Sequence, residues 1–248
     1  MSEQIPTIVL VHGAFAESAS WSTVIEQLHH HGTVLPASPD TRCDVVAIAN
    51  PLRSLAGDAA YVRDVISGIG KPVVLVAHSY GGMVITEAAS HNPAVVGLVY
   101  VNGFAPESGE SAFELSTMFP GGTLADAAVA YPVSSGGNEF AIRQDAFHQH
   151  FAADVPAARA AVMGTTQRPA TEAALSEPLP TDAPAWRQVP SWFVFGDQDL
   201  IIPVALHRFM AERAGAKASR ELAGASHALS VSEPDAVTAT ILDAIAAV

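Results

Sequence analysis

Continuous apolar, β-branched runs, each followed by a stretch of helical spacing, constrain this chain more than any other feature. Ile5–Val11 reads IPTIVLV and ends at His12-Gly13. A strand that is apolar at every position is buried on both faces, which happens in parallel sheets covered by helices. Val45–Ala49, Pro72–Ala77, Val95–Asn102 and Ser191–Gly196 repeat the pattern, and Ala218–Leu222 is a weaker candidate. Helical stretches lie between them, roughly Ser20–His30, Ser54–Ser67, Gly81–His91, Val204–Ala214 and Pro234–Ala246. Strands alternating with helices require right-handed crossovers. The expected fold class is therefore α/β, a mostly parallel sheet of about six strands flanked by helices.

Residues 105–188 break this rhythm. They are rich in Ala, Pro and Gly and show no convincing strand. An unstructured loop of that length is implausible inside a compact domain. Phe140–Phe151 and Pro156–Thr165 have helical character, so the stretch is expected to be a mostly helical cap inserted over one end of the sheet. The core is then 1–104 together with 189–248.

A formal charge of −13 argues against nucleic acid or an anionic membrane as partner, since both are bound by clustered Lys and Arg. A small molecule is the expected partner, and oligomeric state is not readable. No apolar run reaches the roughly 18–20 residues that cross a bilayer. Met1–Pro6 lacks the basic and apolar regions of a secretory signal, so the expected location is the cytoplasm. Cys43 is the only cysteine, which rules out an internal disulfide and reads as a buried inert thiol.

The most informative stretch is Val73-Val74-Leu75-Val76-Ala77-His78-Ser79-Tyr80-Gly81-Gly82. A buried strand runs into a serine between small residues and then into a helix. A serine at the apex of so sharp a turn is held in a strained conformation that lifts its hydroxyl clear of the sheet. The usual pattern is G-x-S-x-G; here Ala77 replaces the first glycine and keeps its small size. Ser79 is the candidate nucleophile.

A serine that attacks a carbonyl needs donors for the oxyanion, each worth about 3–4 kcal/mol. The backbone N–H of Tyr80, just after the nucleophile, is one candidate. Ala14, in the His12-Gly13-Ala14-Phe15 loop after the first strand, offers the other, with Phe15 as an alternate. His12 reads as a loop anchor.

Downstream, Phe193–Gly196 leads into Asp197-Gln198-Asp199 at the carboxyl edge of a strand, where a carboxylate can hold an imidazole in one tautomer. Asp199 is favoured over Asp197, which reads as a turn or cap residue. Gly224-Ala225-Ser226-His227 follows the last strand and supplies the candidate base, His227. His29-His30-His31 diverge around a helix and read as a solvated helix end rather than a metal site. His148 and His150 belong to the cap. No metal-ligand spacing is present, and neither metal nor cofactor is expected.

Together these segments resemble the α/β-hydrolase superfamily. Within it the chain is similar to small carboxylesterase-like proteins that include plant methylesterases and hydroxynitrile lyases, with bacterial relatives. Val11-His12-Gly13-Ala14-Phe15, Ala49-Asn50-Pro51-Leu52, His78-Ser79-Tyr80-Gly81-Gly82, Asp199-Leu200-Ile201-Ile202-Pro203 and Gly224-Ala225-Ser226-His227 fall in the family's order. The Asp-x-x-x-Pro match singles out Asp199. Like those proteins, the chain is expected to start at the oxyanion strand, without the superfamily's first two strands. Hydroxynitrile lyases of this type carry a lysine after the catalytic histidine; Ala228 stands there, which argues against lyase chemistry.

The resemblance implies a serine esterase acting on a small neutral or apolar ester or lactone through an acyl-enzyme. Perhydrolysis, carbon–carbon hydrolysis and pure ligand binding are the alternatives. Phe15, Phe104 and Phe147 are the candidate substrate contacts. Phe113, Met118, Phe119, Phe140, Phe151, Met163 and Trp186 could extend an apolar lining.

Overall fold

The structure, a computed structural model, describes residues 5–31, 44–134 and 136–248. Cys43 and residues 1–4 lie outside the described residues. Along the chain the strands are β1 (Thr7–Val11), β2 (Val45–Ile48), β3 (Val73–His78), β4 (Val95–Val101), β5 (Ala128–Pro132), β6 (Asn138–Ile142), β7 (Ala170–Thr171), β8 (Ser191–Gly196) and β9 (Ala218–Leu222).

Six of them form one sheet in the order β2-β1-β3-β4-β8-β9. Every pairing in it is parallel. The expected α/β sheet is therefore present. Side-chain alternation divides each central strand between two cores. Val9, Val11, Leu75, Ala77, Leu98, Tyr100 and Phe193 face one side, against Leu55, Val62 and Met83. Ile8, Leu10, Val74, Val76, Val99, Val101 and Trp192 face the other, against Trp21, Val24, Leu28, Val237 and Ile241. The faint signal of Ala218–Leu222 has a simple cause: β9 is an edge strand without a single buried residue.

Helices occupy Ser22–His31, Leu55–Ile69, Gly81–Ala88, Val204–Arg213 and Pro234–Ala246. Their ends follow ordinary capping. The Ser54 side chain accepts from the Gly57 N–H, and Gly70 closes that helix with φ 67°. Among the described residues no helix is long and apolar enough to cross a membrane.

The 105–188 segment holds the helices Ala112–Thr117, Leu124–Ala127, Gln144–Phe151, Ala157–Thr166 and Glu172–Ser176. It also holds a sheet that the sequence reading did not anticipate, β5-β6-β7, with antiparallel pairing. Phe140–Ile142, read as the start of a helix, belongs to β6. Ala128–Pro132 reads AVAYP and is largely exposed, so alanine masks the strand and cross-strand pairing supplies what propensity does not. Glu139 anchors the sheet by an ion pair to Arg53 and a 2.6 Å hydrogen bond from Tyr131.

Candidate active site

Ser79 follows β3 directly and has φ 54°, a left-handed conformation unusual for a residue with a Cβ. Close approach of backbone explains why glycines follow. A Cβ on Gly81 would lie 2.6 Å from the Val11 carbonyl oxygen, and one on Gly82 would lie 2.1 Å from that of Phe104. The turn is held by N–H donors from Gly82 at 2.9 Å and Phe104 at 3.1 Å to the Ser79 carbonyl.

The loop after β1 comes up against this turn. The Phe15 N–H donates to the Arg168 carbonyl at 2.9 Å, which removes Phe15 as an oxyanion donor. Among the described residues the N–H groups of Ala14 and Tyr80 donate to no protein acceptor. These are the two donors that the sequence reading put forward. The Tyr80 side chain is pinned away from the site, its hydroxyl donating to buried Asp58 at 3.0 Å.

Asp199 is 4 % exposed and fully hydrogen-bonded. Its Oδ1 accepts from the N–H of Ile201 at 2.8 Å and of Ile202 at 2.9 Å. Its Oδ2 accepts from His227 Nδ1 at 2.8 Å and from His207 Nε2 at 3.1 Å. Burial alone would raise this carboxyl, but the adjoining His227 and the hydrogen bonds from His207 and His227 hold it well below the ordinary carboxylate range. Asp197 does what a turn residue does, accepting from the Gly224 N–H at 2.7 Å.

The His227 loop is fixed from below. Its backbone carbonyl accepts from His78 Nε2 at 2.9 Å and from Asn102 Nδ2 at 3.0 Å. Asn102 also donates to the Ser226 carbonyl at 2.8 Å and accepts from the Gly196 N–H at 2.9 Å, joining the ends of β4 and β8 to this loop. The His227 ring packs on His78 and Phe151, with centroids 4.7 and 4.8 Å away. Its Nε2 is buried without a partner, and no hydrogen bond joins it to the Ser79 hydroxyl.

Two further histidines are kept neutral. Burial lowers His78 to about 3, helped by the neighbouring His227. Burial lowers His12 to about 4, against a 2.9 Å contact between its Nδ1 and the Gly13 carbonyl. His12 is thus placed as a loop residue.

Ser79 opens on a small cavity of about 30 Å³ lined by Ala14, Phe15, Tyr80, Phe104, Phe113 and Leu124, among others. Phe15, Phe113, Ser116, Leu124, Leu175 and Ile201 also line a second cavity of about 360 Å³ reaching Phe140. No charged residue lines either. Of the candidate contacts, Phe15 and Phe104 stand at the serine. Phe147 does not; it stacks on Phe151 with centroids 4.8 Å apart and packs on Gly164, filling the interior of the 105–188 segment. Met118 is exposed, Phe119 packs on Phe209, and Trp186 donates to the Pro106 carbonyl at 2.7 Å. His150 Nδ1 lies 2.7 Å from the Thr123 hydroxyl, and His148 Nε2 lies 2.9 Å from the Val155 carbonyl.

The sequence reading missed His207, His78 and Asn102. His207 carries a legible signal, standing in the first turn of the helix that follows Asp199 and Pro203. Asn102 has φ 40°, a conformation that Asn tolerates better than most residues, at a strand end before Gly103.

Comparison with known proteins agrees with this architecture. The chain is 45 % identical over 60 residues to a carbendazim hydrolyzing esterase of Nocardioides sp. (strain SG-4G), a match covering 22 % of this chain and 25 % of that protein. It thus spans only a quarter of the curated relative's length. Polyneuridine aldehyde esterase superposes with a TM-score of 0.79 at 19 % identity, over 97 % of this chain and 99 % of that one. The methylesterase protein MES16 from Arabidopsis gives 0.76 at 15 % identity, over 98 % and 100 %. At such identities the likeness speaks for the fold. The model of the alpha/beta hydrolase family matches residues 8–240, a span that holds the β1 loop, the Ser79 turn, Asp199 and His227. The chain belongs to the α/β-hydrolase family.

Proposed function

We propose that this chain is a serine hydrolase that cleaves small neutral or apolar carboxylic esters, lactones included, through an acyl-enzyme. One observation carries the reading: Ser79, raised on a strained turn, opens on a small cavity that shares Phe15, Phe113 and Leu124 with a larger one, both lined by apolar and hydroxyl side chains without a charge. A neutral ester can enter such a site without leaving a charge unpaired.

The imidazole–carboxylate pair supplies the base. Donation from Nδ1 to Asp199 puts the ring proton on Nδ1 and leaves Nε2 with a free lone pair. Nε2 takes the Ser79 proton as the hydroxyl attacks the carbonyl, and the oxyanion settles against the Ala14 and Tyr80 amides. His227 returns the proton to the leaving alcohol, then activates water to release the acid. The serine–imidazole hydrogen bond forms when substrate arrives, as in many such sites that are loose when empty. The chemistry needs no metal or cofactor. The 105–188 segment serves as a cap over the serine. The names of the matched proteins, esterases of carbendazim and polyneuridine aldehyde and a methylesterase, support an ester as substrate.

A fluorophosphonate probe tests this directly. Mass spectrometry should find the adduct on Ser79 alone, and Ser79→Ala should abolish both labelling and hydrolysis of p-nitrophenyl esters, costing about 10⁴–10⁶ in kcat. A loss of only tenfold would refute the nucleophile.

A further inference from the structure

We infer that His207 is a positioning residue that shares Asp199 with His227 and sets how far into the acid range the site keeps its base. The inference rests on the triad reading above.

Four hydrogen bonds saturate the Asp199 carboxylate, two from backbone and two from imidazoles. His207 Nε2 and His227 Nδ1 converge on the same oxygen. The His207 ring is 1 % exposed and stacks on Phe195, with centroids 5.1 Å apart and planes at 13°. Among the described residues its other nitrogen, Nδ1, is buried without a partner. A buried acceptor without a donor is a net cost, so an apolar side chain would serve packing better. What His207 supplies that an apolar residue cannot is one N–H on Oδ2.

That N–H has two effects. It fixes the carboxylate rotamer, so the oxygen stays aimed at His227. It also draws on the electron density that holds a proton on the His227 ring, because a carboxylate oxygen shared by two donors attracts each less strongly. Among the described residues Asp199, His207 and His78 face His227, and from the 105–188 segment the Asp154 carboxylate accepts from the N–H and hydroxyl of the adjacent Ser226. Burial keeps both neighbouring imidazoles neutral, although Asp199 pulls His207 the other way. His207 therefore acts as a dipole and not as a second charge. Removing it leaves Oδ2 to His227 alone, and the acid limb of activity then moves to higher pH.

The test is the pH dependence of kcat/KM on a neutral p-nitrophenyl ester for the wild type, His207→Phe and His207→Gln. Phenylalanine keeps the stacking on Phe195 and lacks the donor. Glutamine reaches about as far and keeps an N–H. His207→Phe should move the acid limb up by about one pH unit, so activity falls roughly tenfold at the acid end and little at the alkaline plateau. His207→Gln should restore the wild-type limb. Equal losses at every pH in both variants, with the limb unmoved, would overturn the proposal in favour of a merely structural role.

If His207→Phe does not fold, ¹⁵N-histidine spectra of the wild type decide. His207 should remain the neutral Nε2–H tautomer throughout the acid limb of the activity profile. An Nδ1–H tautomer, or protonation of His207 in step with the acid limb, would sink the idea. The spectra can be read in Ser79→Ala as well, so a failed nucleophile and a failed positioning residue give different results.

Discussion

Gly13 and Ser79 stand so close that a Cβ on the glycine would lie 2.5 Å from the Cβ of the serine. The loop that carries the Ala14 N–H, the oxyanion donor we propose, is thus wedged against Ser79. Gly13→Ala must push the two apart, and a displaced oxyanion donor costs about 10²–10³ in kcat. Ester kinetics beside a thermal scan check this. Wild-type kcat in Gly13→Ala would mean that the loop can retreat without consequence.

Asp199→Asn should lower kcat by about 10⁴, since the amide favours the wrong imidazole tautomer. It also confronts two ring N–H groups with a partner that is only half acceptor. A buried charge network broken on one side costs about 3–5 kcal/mol, which urea denaturation would measure.

Stability should fall on mild acidification. His12 and His78 are pushed by burial from an ordinary 6.5 to about 4 and about 3. Once the pH drops below 6.5 the unfolded chain binds protons that the folded chain refuses, so each residue removes up to about 1.4 kcal/mol per pH unit. His207 is shifted in the same direction, and the depressed Asp199 adds its loss below the ordinary carboxylate range. The Tm should decline steadily from pH 6.5 to 4.5. A flat profile across that window would contradict the buried neutral histidines.

Leu124 lines both the small cavity at Ser79 and the larger one that shares its wall. Leu124→Trp should fill the passage between them. Activity on p-nitrophenyl acetate should stay within a few-fold of wild type, while octanoate loses tenfold or more in kcat/KM, the order expected for an apolar subsite worth about 1–3 kcal/mol. An unchanged chain-length profile would place the acyl group elsewhere.

Two glycines should respond with opposite signs. A Cβ on Gly82 meets the Phe104 carbonyl oxygen at 2.1 Å, whereas one on Gly68 meets nothing within 4 Å. Gly82→Ala should destabilise by about 3 kcal/mol or more. Gly68→Ala, in an exposed helical turn, should stabilise by about 0.5–1 kcal/mol. Thermal unfolding of the pair checks both.

The parallel sheet was legible because strands buried on both faces leave unbroken apolar runs, as in Val73–Ala77. The serine turn was legible because it imposes small residues at fixed offsets. The Ala128–Pro132 strand was not, since an exposed alanine-rich strand carries no pattern of its own and forms through its partner. Phe147 misled for a related reason: an aromatic in an insertion reads the same whether it lines a cavity or fills one. His207 and Asn102 act through distant backbone and carboxylate groups that only the fold brings near.

The bond from the Phe15 N–H to the Arg168 carbonyl ties the 105–188 segment to the loop after β1. On the proposed reading of 105–188 as a cap, lifting that part of it frees the loop carrying Ala14, so the cap and the proposed oxyanion amide are mechanically one part. A mouth held open to admit a bulkier guest would slacken the machinery meant to receive it, and redesign of guest size has to proceed by reshaping the walls while leaving this stitch in place.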